Sequence, residues 1–146
     1  MKQNAFLPLL LSLLFAIGCD KDRIDFYLDT FTVNNQFVHE SGNYTPDAVL
    51  NFDIRFRSDD PDDGNYSIES FDFTYRVNNT QTFVIQSDTH MGVDAFSIKA
   101  TVDLLNLTLP DELCCELIPG DVVEFRVRAT DSCGDTLERV YRVNIQ

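Results

Sequence analysis

Five segments of the chain alternate apolar and polar residues with a period of two, and this pattern constrains the fold more than any other feature. In the clearest segment, Leu50, Phe52, Ile54 and Phe56 alternate with polar residues. Successive side chains of a β-strand point to opposite faces of a sheet, so this period predicts strands with one buried face and one solvated face. The segments are residues 50–56, 71–77, 96–104, 123–129 and 141–145.

Two further segments, residues 24–33 and 82–86, show a weaker form of the same pattern. Only residues 110–117 could hold a helical turn. Strands that are polar on one face pack as antiparallel sheets, so we predict an all-β fold, an antiparallel β-sandwich of about seven strands. Clusters of turn-forming residues separate the segments, at 34–35, 41–43, 59–65, 78–79 and 132–135.

The first eighteen residues have the order of an export signal. A positive start at Lys2 precedes a mostly apolar run, and Gly18 and Cys19 end it. The run is too short to span a bilayer, and the chain turns polar at Asp20. We therefore expect three parts: a cleaved signal peptide at residues 1–18, a tether at 19–23 and a single domain at 24–146.

The segment Phe15-Ala16-Ile17-Gly18-Cys19 resembles the lipobox of bacterial lipoproteins, with Ala16 where that motif usually has Leu. The resemblance implies that the Cys19 thiol receives a diacylglyceryl group and that the new amine is acylated, commonly with palmitate. Each buried methylene of such chains contributes about 0.8 kcal/mol to membrane binding, so several chains make a stable anchor. We expect a lipoprotein whose membrane contact is its N-terminal lipid.

The net charge of the chain limits the classes of molecule that it is expected to bind. Removing residues 1–18 from 146 residues leaves 128, enough for one domain with its own core, and the loss of Lys2 changes the net charge from −13 to −14. Such an acidic chain is not expected to bind nucleic acid.

Residues 20–22, Asp-Lys-Asp, resemble both an inner-membrane retention signal and a surface-export signal. We expect the outer membrane and the cell surface, with a periplasm-facing or inner-membrane position as the alternative.

The last third of the chain resembles a fibronectin type III domain. The turn Leu117-Ile118-Pro119-Gly120 leads into the alternating strand 122–129, and the turn 131–135 leads to the last strand. The resemblance implies a fibronectin type III-like or immunoglobulin-like sandwich. Two positions depart from the family: Val123 stands where the corner tyrosine is expected, and Phe56 is expected to fill the space of the buried Trp.

Three cysteines remain beside Cys19: Cys114, Cys115 and Cys133. An exported chain makes a disulfide possible. If residues 121–130 form one extended strand, its ends lie roughly 30 Å apart, whereas a disulfide needs Cα atoms within about 7 Å. A bridge to Cys133 therefore requires the Cys114-Cys115 segment to fold back along that strand. The alternatives are a strained Cys114–Cys115 ring and unpaired thiols, and we favour thiols.

We expect no cofactor, and an acidic loop is the best candidate for a metal, which would be calcium. Asp59, Asp60, Asp62 and Asp63 lie beside Gly64, and hard oxygen ligands of this kind suit Ca²⁺. The spacing does not match the twelve-residue calcium loop, so we favour a solvated turn that holds no metal.

No hydrolase, metalloprotease or phosphate-binding motif occurs in the sequence, and we expect a protein that is not an enzyme. The expected function is a lipid-anchored binding or structural module for protein partners or adhesion. The alternative is a glycan-binding accessory lipoprotein of a polysaccharide uptake system, because aromatic rings stack on sugars. Tyr44, Tyr66 and Phe83 are the candidate platform residues, although sealing the edges of the core is favoured for them.

Overall fold

The computed structural model describes residues 26–38, 40–58, 67–110 and 116–146. These residues form nine β-strands and one short 3₁₀ helix, Leu104–Asn106. None of the described helical structure is long and apolar enough to cross a membrane. The strands are β1 Phe26–Val33, β2 Gln36–Phe37, β3 Ser41–Tyr44, β4 Val49–Ser58, β5 Ile68–Val77, β6 Thr82–Val93, β7 Ala95–Asp103, β8 Val122–Asp131 and β9 Thr136–Ile145.

The strands form two sheets that pack face to face. The four-stranded sheet has the order β2-β1-β4-β7, and the five-stranded sheet has the order β3-β9-β8-β5-β6. Every pair is antiparallel except β3 and β9, which are parallel. The predicted all-β sandwich is thus confirmed.

The predicted strand segments correspond to β1 and to β4 through β9, and the short strands β2 and β3 are additional. The turn predicted at residues 41–43 is wrong, because these residues pair with β9 as β3. A Cβ at position 42 would lie 2.7 Å from the Tyr44 ring and would collide with the Tyr141 hydroxyl. Gly42 therefore allows this polar segment to approach the sheet closely enough to pair.

The helical turn considered at residues 110–117 is not seen at its described positions, 110, 116 and 117. The 3₁₀ helix lies earlier, directly after β7. The side chain of Asp103 caps it, since its Oδ1 accepts a hydrogen bond of 3.0 Å from the Leu105 amide. Capping residues of this kind satisfy amides that lack a partner inside the helix.

Aromatic rings from both sheets meet in the core. Phe52 of β4 lies 5.0 Å from the ring centroid of Phe73 and 4.8 Å from that of Phe125. Phe56 is completely buried and stacks on Phe96 at 5.1 Å, consistent with the space-filling role expected for it. The inward faces of the alternating strands thus supply the hydrophobic contacts that hold the two sheets together.

The two ends of the sandwich differ in the elements that they carry. At one end, called the Phe26 end, Phe26 pairs with Ser58 and Ile68 pairs with Asp131. At the opposite end, called the far end, Val49 pairs with Asp103 and Val77 pairs with Val123. The chain therefore enters the domain at the Phe26 end.

Candidate functional site

The outer face of the five-stranded sheet carries a patch that we call the arginine face: Arg76, Arg126, Arg128 and Arg142 around Glu124. The register aligns Arg76, Glu124 and Arg142 as direct cross-strand neighbours on β5, β8 and β9. Residues two apart on a strand share a face, so Arg126 and Arg128 continue the patch toward the Phe26 end. The patch brings together charges from three separate strands.

Glu124 is the centre of the arginine face. Its side chain is only 6% exposed, and Arg76 approaches its Oε1 at 2.7 Å. Arg126 approaches the same oxygen at 3.3 Å, and Arg142 approaches Oε2 at 3.1 Å. Charge-assisted contacts of this kind are stronger than neutral hydrogen bonds. A buried carboxylate therefore fixes three guanidinium groups in position.

Electrostatics keep Glu124 ionised. Burial raises the pKa of this carboxyl, but the charges and hydrogen bonds of Arg76, Arg126 and Arg142 outweigh it and leave the pKa lowered. Asp72, in the row nearer the Phe26 end, has its pKa raised, chiefly by burial. The arginine face sets four arginines against the carboxyl groups of Glu124, Glu138 and Asp72, and so carries a small positive excess in a chain whose net charge is −13.

One exposed apolar side chain, Val84, adjoins the arginines. Phe83 stacks on the core residue Tyr75, with ring centroids 5.2 Å apart, so its neighbour Val84 points outward and is 64% exposed. Val84 pairs with Thr74, and Thr74 pairs with Arg126. Arginine beside exposed apolar surface, above an ordered sheet, has the composition of a protein-binding surface.

A second candidate surface lies along the side of the sandwich, where the edge strand β2 and its neighbour β1 in one sheet lie beside the edge strand β3 and its neighbour β9 in the other. A cavity of about 590 Å³ is lined by Leu28, Phe31, Val38, Glu40, Ser41, Arg139 and Val140. It continues through Val38 and Ser41 into a cavity of about 330 Å³ that Phe37, Tyr44 and Tyr141 also line. Phe37 is 75% exposed there. We call these two cavities together the side cleft.

The predicted platform aromatics lie apart from one another. Tyr44 is half-buried in the side cleft, and its hydroxyl lies 3.0 Å from that of Tyr141. Phe83 is half-buried against the core on β6, where Tyr75 covers one face of its ring. Tyr66 lies outside the described residues. The structure therefore does not bring Tyr44 and Phe83 together as one platform, and Phe37, which the sequence did not single out, is the more exposed ring.

The remaining predicted site residues fall largely outside the described part of the chain. These are Cys19, Asp59, Asp60, Asp62, Asp63, Cys114 and Cys115. Cys133 is described and takes part in a disulfide, which is one of the alternatives that the sequence left open. Within the described ranges, no three His, Cys, Asp or Glu residues lie together as a metal site.

Comparisons with known proteins give a fold likeness and no family. No family model matches the sequence, and no curated protein matches it. Superoxide reductase (neelaredoxin) from Ignicoccus hospitalis is 9% identical, with a TM-score of 0.42 and 82% of each chain covered. Spo0M, a sporulation control protein from Bacillus subtilis, is 10% identical, with a TM-score of 0.49, over 85% of this chain and 50% of that chain. Murine CRIg is 11% identical, with a TM-score of 0.39, over 80% of this chain and 97% of that chain. Likeness at this level does not identify an activity.

Proposed function

We propose that this chain is a non-enzymatic lipoprotein of the bacterial cell envelope, whose β-sandwich binds a protein partner through the arginine face. The observation that carries the proposal is the convergence of Arg76, Arg126 and Arg142 on the buried Glu124. Arginine is enriched in protein interfaces and in their energetically dominant residues. A positive patch also favours partners with an acidic surface, since complementary charge speeds and orients encounter.

The position of the anchor supports the use of this face. If Cys19 carries the lipid, six residues separate it from Phe26, and the seven steps along the chain span at most about 25 Å. Arg76 lies eight residues along β5 from Ile68, which is about 26 Å toward the far end. The row around Glu124 would therefore lie toward the end of the sandwich that is farther from the membrane, where a partner can reach it.

The proposed location is the outer membrane with the domain at the cell surface, and a role in adhesion or in a surface assembly fits that location. The alternative is a periplasm-facing or inner-membrane anchor. The lipobox-like Cys19 and the acidic residues after it support lipid anchoring in either case. A finer assignment to the fibronectin type III or immunoglobulin families is likewise a proposal, supported by the residues of β8 and its preceding turn.

Site-specific photo-crosslinking in intact cells tests the binding face. A photoreactive phenylalanine analogue replaces Val84 on the arginine face or, as the control, Thr101 on the outer face of the other sheet. Both side chains are exposed, and Thr101 pairs with Asn51 of β4. We expect a discrete adduct from position 84 and none from position 101. Equal adducts at both positions, or none at position 84, would contradict the proposal.

The charge dependence of that adduct provides a second readout. Arg128→Gln removes one exposed positive charge from the arginine face, and Arg57→Gln removes one from the outer face of the four-stranded sheet. We expect the first variant to reduce the yield from position 84 several-fold and the second to leave it unchanged. The same loss in both variants would mean that total charge, rather than this face, governs the contact.

Glycan binding is the second candidate function, and the side cleft is the observation that favours it. Phe37 and Tyr44 line a polar-edged cavity of about 330 Å³, and an exposed ring such as Phe37 can stack on a sugar. In that case Phe37→Ala would abolish glycan binding and leave the crosslink from position 84 unchanged. The two functions are therefore separable in one set of variants.

A further inference from the structure

The turn between β8 and β9 holds two aspartates in a fixed arrangement. Asp131 Oδ1 accepts hydrogen bonds from the Cys133 amide and from the Asp135 amide, both at 2.9 Å. The Asp131 amide donates to the Asp135 carbonyl at 3.0 Å, and the Gly134 amide donates to the Asp131 carbonyl at 3.1 Å. These bonds order the backbone at both aspartates and use only one oxygen of the Asp131 carboxylate.

The second oxygen of each carboxylate is buried without a donor. Asp131 is 4% exposed, and its Oδ2 has no hydrogen-bond partner. Asp135 Oδ2 is also inaccessible to solvent and also lacks a partner. Buried polar atoms are nearly always satisfied in native proteins, so two such oxygens in one five-residue turn need an explanation. The amides of the turn do not satisfy these two oxygens, because the Cys133 and Asp135 amides donate to Asp131 Oδ1 instead.

The charges in this turn favour an added positive group. Burial raises the pKa of Asp131, the charge of Asp135 raises it further, and the turn amides offset part of the increase. A buried carboxylate that interacts with the charge of a second carboxylate is unfavourable unless a cation or a proton lies with them. Among the described residues, no lysine or arginine forms an ion pair with either aspartate.

We propose that Asp131 and Asp135 form a binding site for a hard divalent cation, Ca²⁺ in preference to Mg²⁺, at the β8–β9 turn. The two unpartnered Oδ2 atoms supply the ligands that such an ion prefers. Ca²⁺ accepts irregular oxygen shells with water completing them, whereas Mg²⁺ demands near-octahedral geometry. The site uses none of Asp59, Asp60, Asp62 or Asp63, and it is independent of the function proposed for the arginine face.

Two protein carboxylates make a weak site, with a dissociation constant of roughly 10⁻⁴–10⁻³ M, as in extracellular modules. A cation at such a site would neutralise the repulsion within the turn and stabilise the Phe26 end of the sandwich. The ligation would therefore appear as a dependence of thermal stability on Ca²⁺ concentration.

Thermal unfolding of the full chain, with its disulfide intact, tests the site with chelator, Mg²⁺ or Ca²⁺ present. We expect about 10 mM Ca²⁺ to raise the Tm by about 5 °C and Mg²⁺ to raise it much less. Asp131→Asn keeps Oδ1 as the acceptor for both amides, and Asp135→Asn leaves the turn bonds intact. Both variants should lose the Ca²⁺-dependent shift, while Asp47→Asn, the same change on an exposed residue of the far end, should keep it.

Several results would overturn the proposal. A Tm that does not respond to Ca²⁺ but rises as the pH falls would show that a shared proton occupies the turn. A Ca²⁺ shift that survives in Asp135→Asn would place the ion elsewhere. If Asp131→Asn fails to fold, Asp135→Asn alone decides, because its side chain accepts none of the hydrogen bonds that form the turn.

Discussion

Phe52→Ala is expected to destabilise the domain by about 3–5 kcal/mol, a large fraction of the roughly 5–15 kcal/mol by which a typical domain is stable. Phe52 is 3% exposed and contacts the rings of Phe73 and Phe125 on the opposite sheet. Its removal leaves a cavity where the two sheets meet, and close-packed neighbours relax only partly into such a space. The loss is therefore larger than the transfer free energy of the side chain alone.

Denaturant unfolding followed by fluorescence or circular dichroism measures this effect. The denaturant concentration at the midpoint of unfolding should fall. The slope of the unfolding free energy against denaturant concentration should change little, since the surface exposed on unfolding is nearly the same. Phe37→Ala is the matched control, because Phe37 is 75% exposed and its loss should change the free energy of unfolding by less than about 0.5 kcal/mol. Similar effects of the two substitutions would show that the rings of Phe52, Phe73 and Phe125 are not the centre of the core.

Glu124→Gln is expected to destabilise the domain by about 2–3 kcal/mol at neutral pH. The substitution leaves Arg76, Arg126 and Arg142 facing one another without their shared anion. Removal of one partner of a buried ion pair costs about 3–5 kcal/mol, and the partial exposure of these arginines reduces that figure. Glu138→Gln is the control, since Glu138 is 41% exposed and makes one contact of 3.6 Å with Arg126, so its loss should cost less than about 0.5 kcal/mol.

The difference in stability between wild type and Glu124→Gln should depend on pH, and this dependence identifies the negative charge of Glu124 as the cause. Because the arginines lower the pKa of Glu124 below its unfolded value, its contribution is complete above the unfolded pKa of about 4.3. The contribution is lost as the pH falls below that value and through the lowered folded pKa. We therefore expect wild type and Glu124→Gln to converge in stability below about pH 4. A constant difference from pH 7 to pH 3 would contradict the ion-pair explanation.

The alternation of residues 50–56 and of four other segments predicted the strands because each strand buries one face. The same reasoning missed β3, since Gly42 and its polar neighbours show no alternation. These residues pair with β9 because a glycine at position 42 leaves room for the Tyr141 hydroxyl. The extension of β6 to Val93 was also missed, because most of its residues beyond Gln86 are exposed. A period-two signal detects a buried face, and an edge strand that buries little gives none.

The arginine face was not predictable from spacing along one strand. Arg126 and Arg128 are visible as outward residues of β8, but Arg76 and Arg142 join them only through the register with β5 and β9. The composition of the face therefore depends on which strands become neighbours, and tertiary structure decides that.

Metabolic labelling with an alkyne analogue of palmitate tests the central claim, lipid anchoring through Cys19, most directly. The full chain is produced in a bacterium that processes lipoproteins, as wild type, as Cys19→Ser and as the control Asp20→Asn, which leaves the cysteine in place. We predict label on wild type and on Asp20→Asn, and none on Cys19→Ser. An unlabelled wild-type protein, or label that persists in Cys19→Ser, would contradict the account of this chain as a lipid-anchored binding module.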